Sequence, residues 1–412
     1  MILPLHALRI FLPFAFGYGL SYFFRVVNAT VAPDLVRDLG LAASDLGLLT
    51  SAYLLAFASM QLPLGLLLDR FGARRTEAVL LVFAALGSLV FATADRTFEL
   101  MIGRALIGFG VSACLMAAFK AFVVWFPSEK LPFVNGCQLA AGGLGALAAT
   151  TPIEGALHVI DWRGVFVVLA LLSLLAATAI LLVVPEHNST PVRESWRRQV
   201  RGIGVVFRSQ LFWRVAPITV FSQATFLSIQ GLWSGPWLRD VAGLDRAQVA
   251  SHLLLIAAAM VAGFVVLGWT TERLGRWNIR PLTVAVAGMV LFVFAQAVLV
   301  AQATHALHFT WAAFGFFGTS GMIPYATLSQ RFPARLAGRV NTGLNVMAFA
   351  FAFAGQWSIG AVIDRWPLTA SGGYDPKAYQ VAFALMLGLQ LLALAWFLWF
   401  RREGIAEARN RE

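Results

Sequence analysis

Gly65-Leu66-Leu67-Leu68-Asp69-Arg70-Phe71-Gly72-Ala73-Arg74-Arg75 closes one long apolar run, and Gly268-Trp269-Thr270-Thr271-Glu272-Arg273-Leu274-Gly275-Arg276 closes another in the second half of the chain. Each stretch has a glycine, an acid four residues later, an arginine, a second glycine and further arginine. Glycine lets the backbone turn tightly and lets helices approach closely. Arginine is costly inside hydrocarbon. Each stretch therefore reads as a tight turn at a membrane surface between two membrane-crossing helices. Its repetition divides the chain into two related halves.

Composition agrees. Only 12% of the 412 residues are charged and 59% are hydrophobic, with a mean hydropathy of +0.76. Soluble domains carry roughly 25% charged residues, so lipid has to replace the missing polar coat. The net charge of +11 is spread in short clusters between apolar runs, which argues for an anionic membrane face and against nucleic acid. Cys114 and Cys137 both lie in apolar stretches, so neither a disulfide framework nor a metal site is expected. No cofactor is expected either. Arg9 precedes a long apolar run without a small-residue cleavage pattern, and that run is read as a first span with no removable signal peptide.

A helix needs roughly 20 apolar residues to cross hydrocarbon. Twelve such stretches lie near 9–31, 45–67, 77–95, 99–125, 132–158, 164–184, 214–237, 247–270, 281–302, 308–329, 338–363 and 378–400. This gives an N-terminal six-helix bundle over 1–184, a polar, Arg-rich linker over 185–213 and a C-terminal bundle with a short tail over 214–412. Seven basic residues fall on the loops of one side, and twenty-one on the termini and the opposite loops. Basic loops stay inside, so both termini and the linker are expected in the cytoplasm, with the chain in the inner membrane. Internal repetition of this kind belongs to secondary transporters that rock two bundles about a midplane site.

The Gly65–Arg75 loop resembles motif A of the major facilitator superfamily, with Gly268–Arg276 as a degenerate second copy, and the resemblance covers the whole chain. It implies an all-helical major facilitator fold of two pseudo-symmetric six-helix bundles. It also implies a gating role for Gly65, Asp69, Arg70, Gly72, Arg74, Arg75, Glu272 and Arg273, which would bridge helices on the cytoplasmic side. Gly103-Arg104-Ala105-Leu106-Ile107-Gly108-Phe109-Gly110 resembles motif B, which makes Arg104 a structural or gating residue. Gly142, Gly143 and Gly145 in span 5 lack the Gly-Pro pair usual in drug antiporters.

A charge within a span is a functional candidate by default. Glu154 is the one acid read as inside a span, against Arg25, Arg104 and Lys120. That balance favours an anion in the cavity. Tyr22-Phe23-Phe24-Arg25-Val26-Val27-Asn28-Ala29-Thr30-Val31-Ala32-Pro33-Asp34 resembles span 1 of the anion:cation symporter family, and Trp125-Phe126-Pro127 resembles that family's span 4 exit. The resemblance implies that Arg25 and Lys120 hold an organic carboxylate or phosphate. Asp34 is an alternative partner for Arg25, and Lys120 has the alternative of reaching the membrane surface. The family's acid before the span 1 arginine is replaced by Phe24, which leaves Glu154 or His252 for proton coupling.

Neutral polar residues complete the expected site: Tyr22, Asn28 and Gln138 in the first half, and Gln230, Trp233, Tyr325 and Asn345 in the second. Such residues also join helices to each other. No phosphate-binding glycine loop followed by Lys and Ser/Thr appears, so ATP drive within this chain is not expected. No catalytic cluster lies in the spans, so an enzyme is not expected. Proton-coupled symport of a small organic anion by a monomer is the leading expectation, with export of an amphipathic metabolite, siderophore or drug as the alternative.

Overall fold

The structure, a computed structural model, describes residues 5–127, 131–186, 204–332, 334–369 and 372–409. Most of the expected linker, 187–203, lies outside the described residues. The chain is all-helical. Span 1 is Leu5–Leu39, and spans 2 and 3 share the helical run Ala43–Ala92, broken at Gly72. Span 4 is Thr97–Gly110 and Cys114–Trp125, span 5 is Leu131–Ala148 and Thr151–Ala156, and span 6 is Trp162–Val183. Span 7 is Gln210–Ser228, a π-turn Ile229–Trp233 and Ser234–Asp240, and span 8 is Arg246–Gly275. Span 9 is Pro281–Val300. Span 10 is Leu307–Gly318, a 3-10 turn Thr319–Met322 and Ile323–Ser329. Spans 11 and 12 are Ala334–Ile363 and Pro376–Arg409.

The helix boundaries have local causes. Gly72 has φ +77°, a left-handed value that glycine adopts without strain; this is the tight turn that the repeated motif requires. Asp161 caps span 6 by accepting the Gly164 amide at 2.7 Å. Asp245 and Gln248 form a reciprocal capping box at the start of span 8. Outward faces are apolar and exposed, as with Val82, Leu86 and Leu89 on span 3 and Leu385, Leu389 and Leu392 on span 12. Their helical spacing marks lipid-facing stripes. Inside, Gln296 and Gln390 exchange hydrogen bonds of 3.1 and 2.7 Å between spans 9 and 12, which satisfies two buried amides at once.

Two faces are distinguished here: the linker face, with Gly72 and Glu186, and the distal face, with Leu39, Ala43 and Arg246. The main apolar core is continuous from the first half into the distal part of the second, through Trp233, Ile256, Phe314 and Ile359. On the linker side, the second half has a core of its own around Phe212, Ile218, Met289, Leu344 and Phe397. The halves thus meet at the distal face and part toward the linker face.

Close approach depends on missing side chains. A Cβ on Gly145 of span 5 would lie 1.9 Å from the Gly19 carbonyl oxygen of span 1, and one on Gly108 would lie 2.2 Å from the Tyr53 carbonyl oxygen. Neither contact has room for an added carbon. Gly145→Val is expected to cost at least about 1–3 kcal/mol through overpacking, seen as a lowered melting temperature of the purified protein in detergent.

Candidate functional site

Spans 4, 7 and 10 lose regular helix at 111–113, Ile229–Trp233 and Thr319–Met322 respectively. Irregular backbone at membrane depth is tolerated where it is buried in protein or lines a cavity, and these segments surround one of about 420 Å³ between the halves. Its wall extends to Phe119, Ser329, Gln330 and Asn341, residues toward the linker-side ends of their spans. The volume suits a small organic solute.

Arg25 enters this cavity from span 1. It is half-buried, and its guanidinium carbon lies 4.5 Å from the Tyr22 ring centroid and 5.3 Å from those of Phe57 and Phe349. Ring faces stabilise a cation without neutralising it. Its Nε has no hydrogen-bond partner. Asp34 does not pair with it: that carboxylate is held by Arg246 and Arg37. Among the described residues lining the cavity, Arg25 is the one acidic or basic side chain. Arg104, fully buried, braces the same helix by donating from Nη1 to the Phe24 carbonyl oxygen at 2.9 Å, with Tyr53 beneath its guanidinium at 5.0 Å. The second half supplies Gln223, Gln230, Thr319, Tyr325 and Asn345 to the opposite wall. The rest is largely apolar, including Leu115, Met116, Phe226, Phe264 and Met322.

Of the nine residues expected to bind solute, Arg25, Tyr22, Gln230, Tyr325 and Asn345 line the cavity. The other four are placed elsewhere. Lys120 forms an ion pair with Asp69 on the linker side, because a flexible ammonium with an acid in reach sheds its desolvation cost there. Asn28 donates to Thr50 Oγ1 at 2.9 Å, joining spans 1 and 2. Gln138 donates to the Phe14 carbonyl oxygen at 3.0 Å, and Trp233 donates to that of Gln356 at 2.9 Å. These three are helix-to-helix joints.

Lys120 instead joins the turn around Gly72. Asp69 pairs with it from the end of span 2, while Arg74 Nε donates to the Leu181 carbonyl oxygen at 3.1 Å and Arg75 pairs with Glu186. Spans 2, 4 and 6 are thereby tied together within the first half. Among the described residues, the second copy makes no such bridge: Glu272 pairs with Arg276 of its own helix at 3.1 Å, and Arg273 lies over Trp269. Arg70 rests on Phe71.

The distal face is sealed across the halves. Arg246 of span 8 lies 2.6 Å from Asp34 Oδ2 of span 1 and 2.6 Å from Glu154 Oε1 of span 5. Asp364, after span 11, accepts the Ala43 and Ser44 amides at the start of span 2, both at 2.8 Å. Glycines bring backbones together beside these contacts: a Cβ on Gly360 would lie 2.3 Å from the Ala43 carbonyl oxygen, and one on Gly235 would lie 2.5 Å from that of Ala29. Glu154 is thereby engaged in a contact between the halves. His252 is also distal and buried, with Nδ1 2.8 Å from the Gln248 carbonyl oxygen and its ring on His308.

The expectation that Glu154 is the one acid within the spans is corrected by Glu77 of span 3, which is fully buried. Standing one turn after the Gly72 loop, it reads as a loop acid in sequence. Phe57 and Phe349, which hold Arg25, carry no polar signal that sequence could single out.

Residues 14–356 match the Major Facilitator Superfamily. The chain is 24% identical over 400 residues to a probable sulfoacetate transporter of Cupriavidus necator, covering 91% of this chain and 90% of that protein. It is 22% identical over 277 residues to the hexuronate transporter of Escherichia coli K12, covering 63% and 64%. Its fold matches a bacterial homologue of the human lysosomal transporter Spinster, solved inward-facing and occupied, with a TM-score of 0.74 at 16% identity over 97% and 98% of the two chains. This polytopic membrane protein, with its two bundles around a midplane cavity, belongs to the Major Facilitator Superfamily of secondary transporters.

Proposed function

We propose that the protein carries a small organic anion across the inner membrane by alternating access, with the anion docking on Arg25. The carrying observation is that Arg25 faces the cavity with aromatic neighbours and no carboxylate. A cation at low dielectric draws an anion and repels other cations. The similarity to proteins named for sulfoacetate and hexuronate transport supports the same chemistry. With Lys120 engaged by Asp69, one cation meets one anionic group, and Gln230, Tyr325 and Asn345 receive the polar remainder. Proton-driven symport by a monomer is the proposed mode, with both termini and the 185–213 linker in the cytoplasm between bundles 1–184 and 214–412. The apolar wall around Phe226 and Phe264 favours a second reading, export of an amphipathic compound.

Alternating access requires the distal seal to break while the turn around Gly72 steadies the first half. In this reading the conformation is open to the cytoplasm, and Arg246 with Asp34 and Glu154 is the outer gate. Asp69–Lys120, Arg74, Arg75 and Arg104 keep the first half rigid as it rocks.

Arg25→Ala is expected to weaken binding of sulfoacetate or glucuronate by about 10–100-fold, since hydrogen bonds to charged groups contribute about 1.5–3 kcal/mol. Thermal shift of the purified protein reads this by mass action. Lys120→Ala, which removes a partly exposed pair, is expected to stay within about threefold. Binding of both probes undiminished in Arg25→Ala sinks the anion reading and favours export. For the gate, Arg246→Ala is expected to raise maleimide labelling of Ala250→Cys, a buried position on the distal side, from outside intact cells. Equal labelling with and without Arg246 removes it from the gate.

A further inference from the structure

Glu77 is buried at span 3 with neither carboxylate oxygen hydrogen-bonded. Its carboxyl end rests on span 1, where a Cβ added to Gly17 would lie 2.5 Å from Glu77 Oε1. The bare glycine is what admits the acid. Span 4 presents the Cys114 thiol to it, at the first residue after the break. Tyr18 and Arg25 both line the central cavity, as do Val111 and Ser112 of the break itself. The irregular turn of span 4 therefore stands between the solute cavity and a sealed acid.

The other interior acids are engaged. Asp34 and Glu154 hold Arg246, and Asp69 holds Lys120. Among the described residues, Glu77 has no cation and no backbone amide. An ionised carboxylate in such a place is uncompensated, so the packing accommodates the neutral acid. Glu77 reaches span 1 at Gly17, eight residues before Arg25.

We propose that Glu77 is the proton-binding site of the transport cycle, protonated while sealed between spans 1, 3 and 4 and releasing its proton when water from the central cavity reaches it through the irregular turn of span 4. One proton passes from water to a carboxylate oxygen and back, and no other bond changes. Ionised Glu77 adds a negative charge behind the span 4 break, on the first-half side of the cavity, and so weakens the hold of Arg25 on an anion. Protonated Glu77 leaves Arg25 free to hold one. Proton and anion thus favour each other's binding, and linkage makes the effect reciprocal. The coupling step rests on the anion reading of Arg25, whereas proton binding at Glu77 does not.

Two measurements on the full-length protein test this. Infrared difference spectra recorded against pH should contain the C=O stretch of a buried neutral carboxyl that is absent in Glu77→Gln and retained in Cys114→Ser. A wild-type spectrum without a band assignable to Glu77 overturns the proposal. In reconstituted vesicles with sulfoacetate as the probe, Glu77→Gln should keep exchange of labelled for unlabelled probe while losing accumulation driven by a pH gradient by at least about tenfold. Accumulation equal to wild type overturns the coupling role. If wild type itself exchanges no sulfoacetate, the choice of anion has failed, and the infrared band still decides whether Glu77 binds the proton.

Discussion

A charge taken into hydrocarbon loses its hydration, and it has to be paired, held by backbone oxygens or used. The interior of this protein is organised by that constraint. Arg246 is paired twice, by Asp34 and Glu154. Lys120 is paired by Asp69. Arg104 is held by the Phe24 carbonyl oxygen and by the Tyr53 ring. Two groups remain after this sorting: Arg25, stabilised by ring faces that leave its charge intact, and Glu77, whose carboxyl meets no cation among the described residues. They lie on either side of one break in span 4.

The distal seal combines two kinds of contact with different energetics. The glycine approaches at Gly360 and Gly235 are dry and steric, and they specify one docking geometry. The Arg246 cluster is ionic, and a buried ion pair gains little net energy because its attraction mostly offsets the desolvation of its members. When the seal opens, water returns what the pair gives up. Such a cluster fixes register at small net cost, which suits a contact that must break in each cycle. The turn around Gly72 differs because its ties to Lys120, Leu181 and Glu186 all stay inside the first half. Those ties can persist while the halves rock.

Much of this fold was legible in the sequence because its signals are periodic. Apolar length locates a span, and the glycine–acid–arginine repeat locates the turns. The expected span ends differ from the helices by a few residues, mostly because helices such as Leu5–Leu39 and Arg246–Gly275 run past the apolar stretch. The site was legible in part. Arg25, Tyr22, Gln230, Tyr325 and Asn345 were found from depth and polarity. Depth is one coordinate, however, and a cavity needs the direction around each helix as well. Gln138 and Asn28 have the right depth and point at neighbouring helices. Lys120 was misplaced because its flexible stem reaches Asp69 of span 2 on the linker side. Glu77 was missed because the glycine that admits it stands in another helix, sixty residues earlier.

The breaks in spans 4, 7 and 10 tie the cavity to the fold more closely than any single side chain does. A helix that loses regularity frees carbonyls that hydrocarbon cannot satisfy. Here Ser21 donates to the Val111 carbonyl oxygen at 3.3 Å, and Ser112 and Thr319 each bond back within their own turn at 2.7 Å. Such partial satisfaction is tolerable beside a polar cavity and costly against lipid. The breaks in spans 4, 7 and 10 are tolerated because they stand beside this cavity. The cavity in turn owes its shape to them, since Val111, Ser112, Gln230 and Thr319 enter its wall from irregular turns. Glycines fix the arrangement: Gly318 seats the Phe226 ring and Gly321 the Gln223 amide, at 2.2 and 2.6 Å from where a Cβ would stand. Site and scaffold are on these terms one packing solution. A change that straightens span 4 or span 10 has to disturb the solute cavity even when it touches no residue that faces the solute.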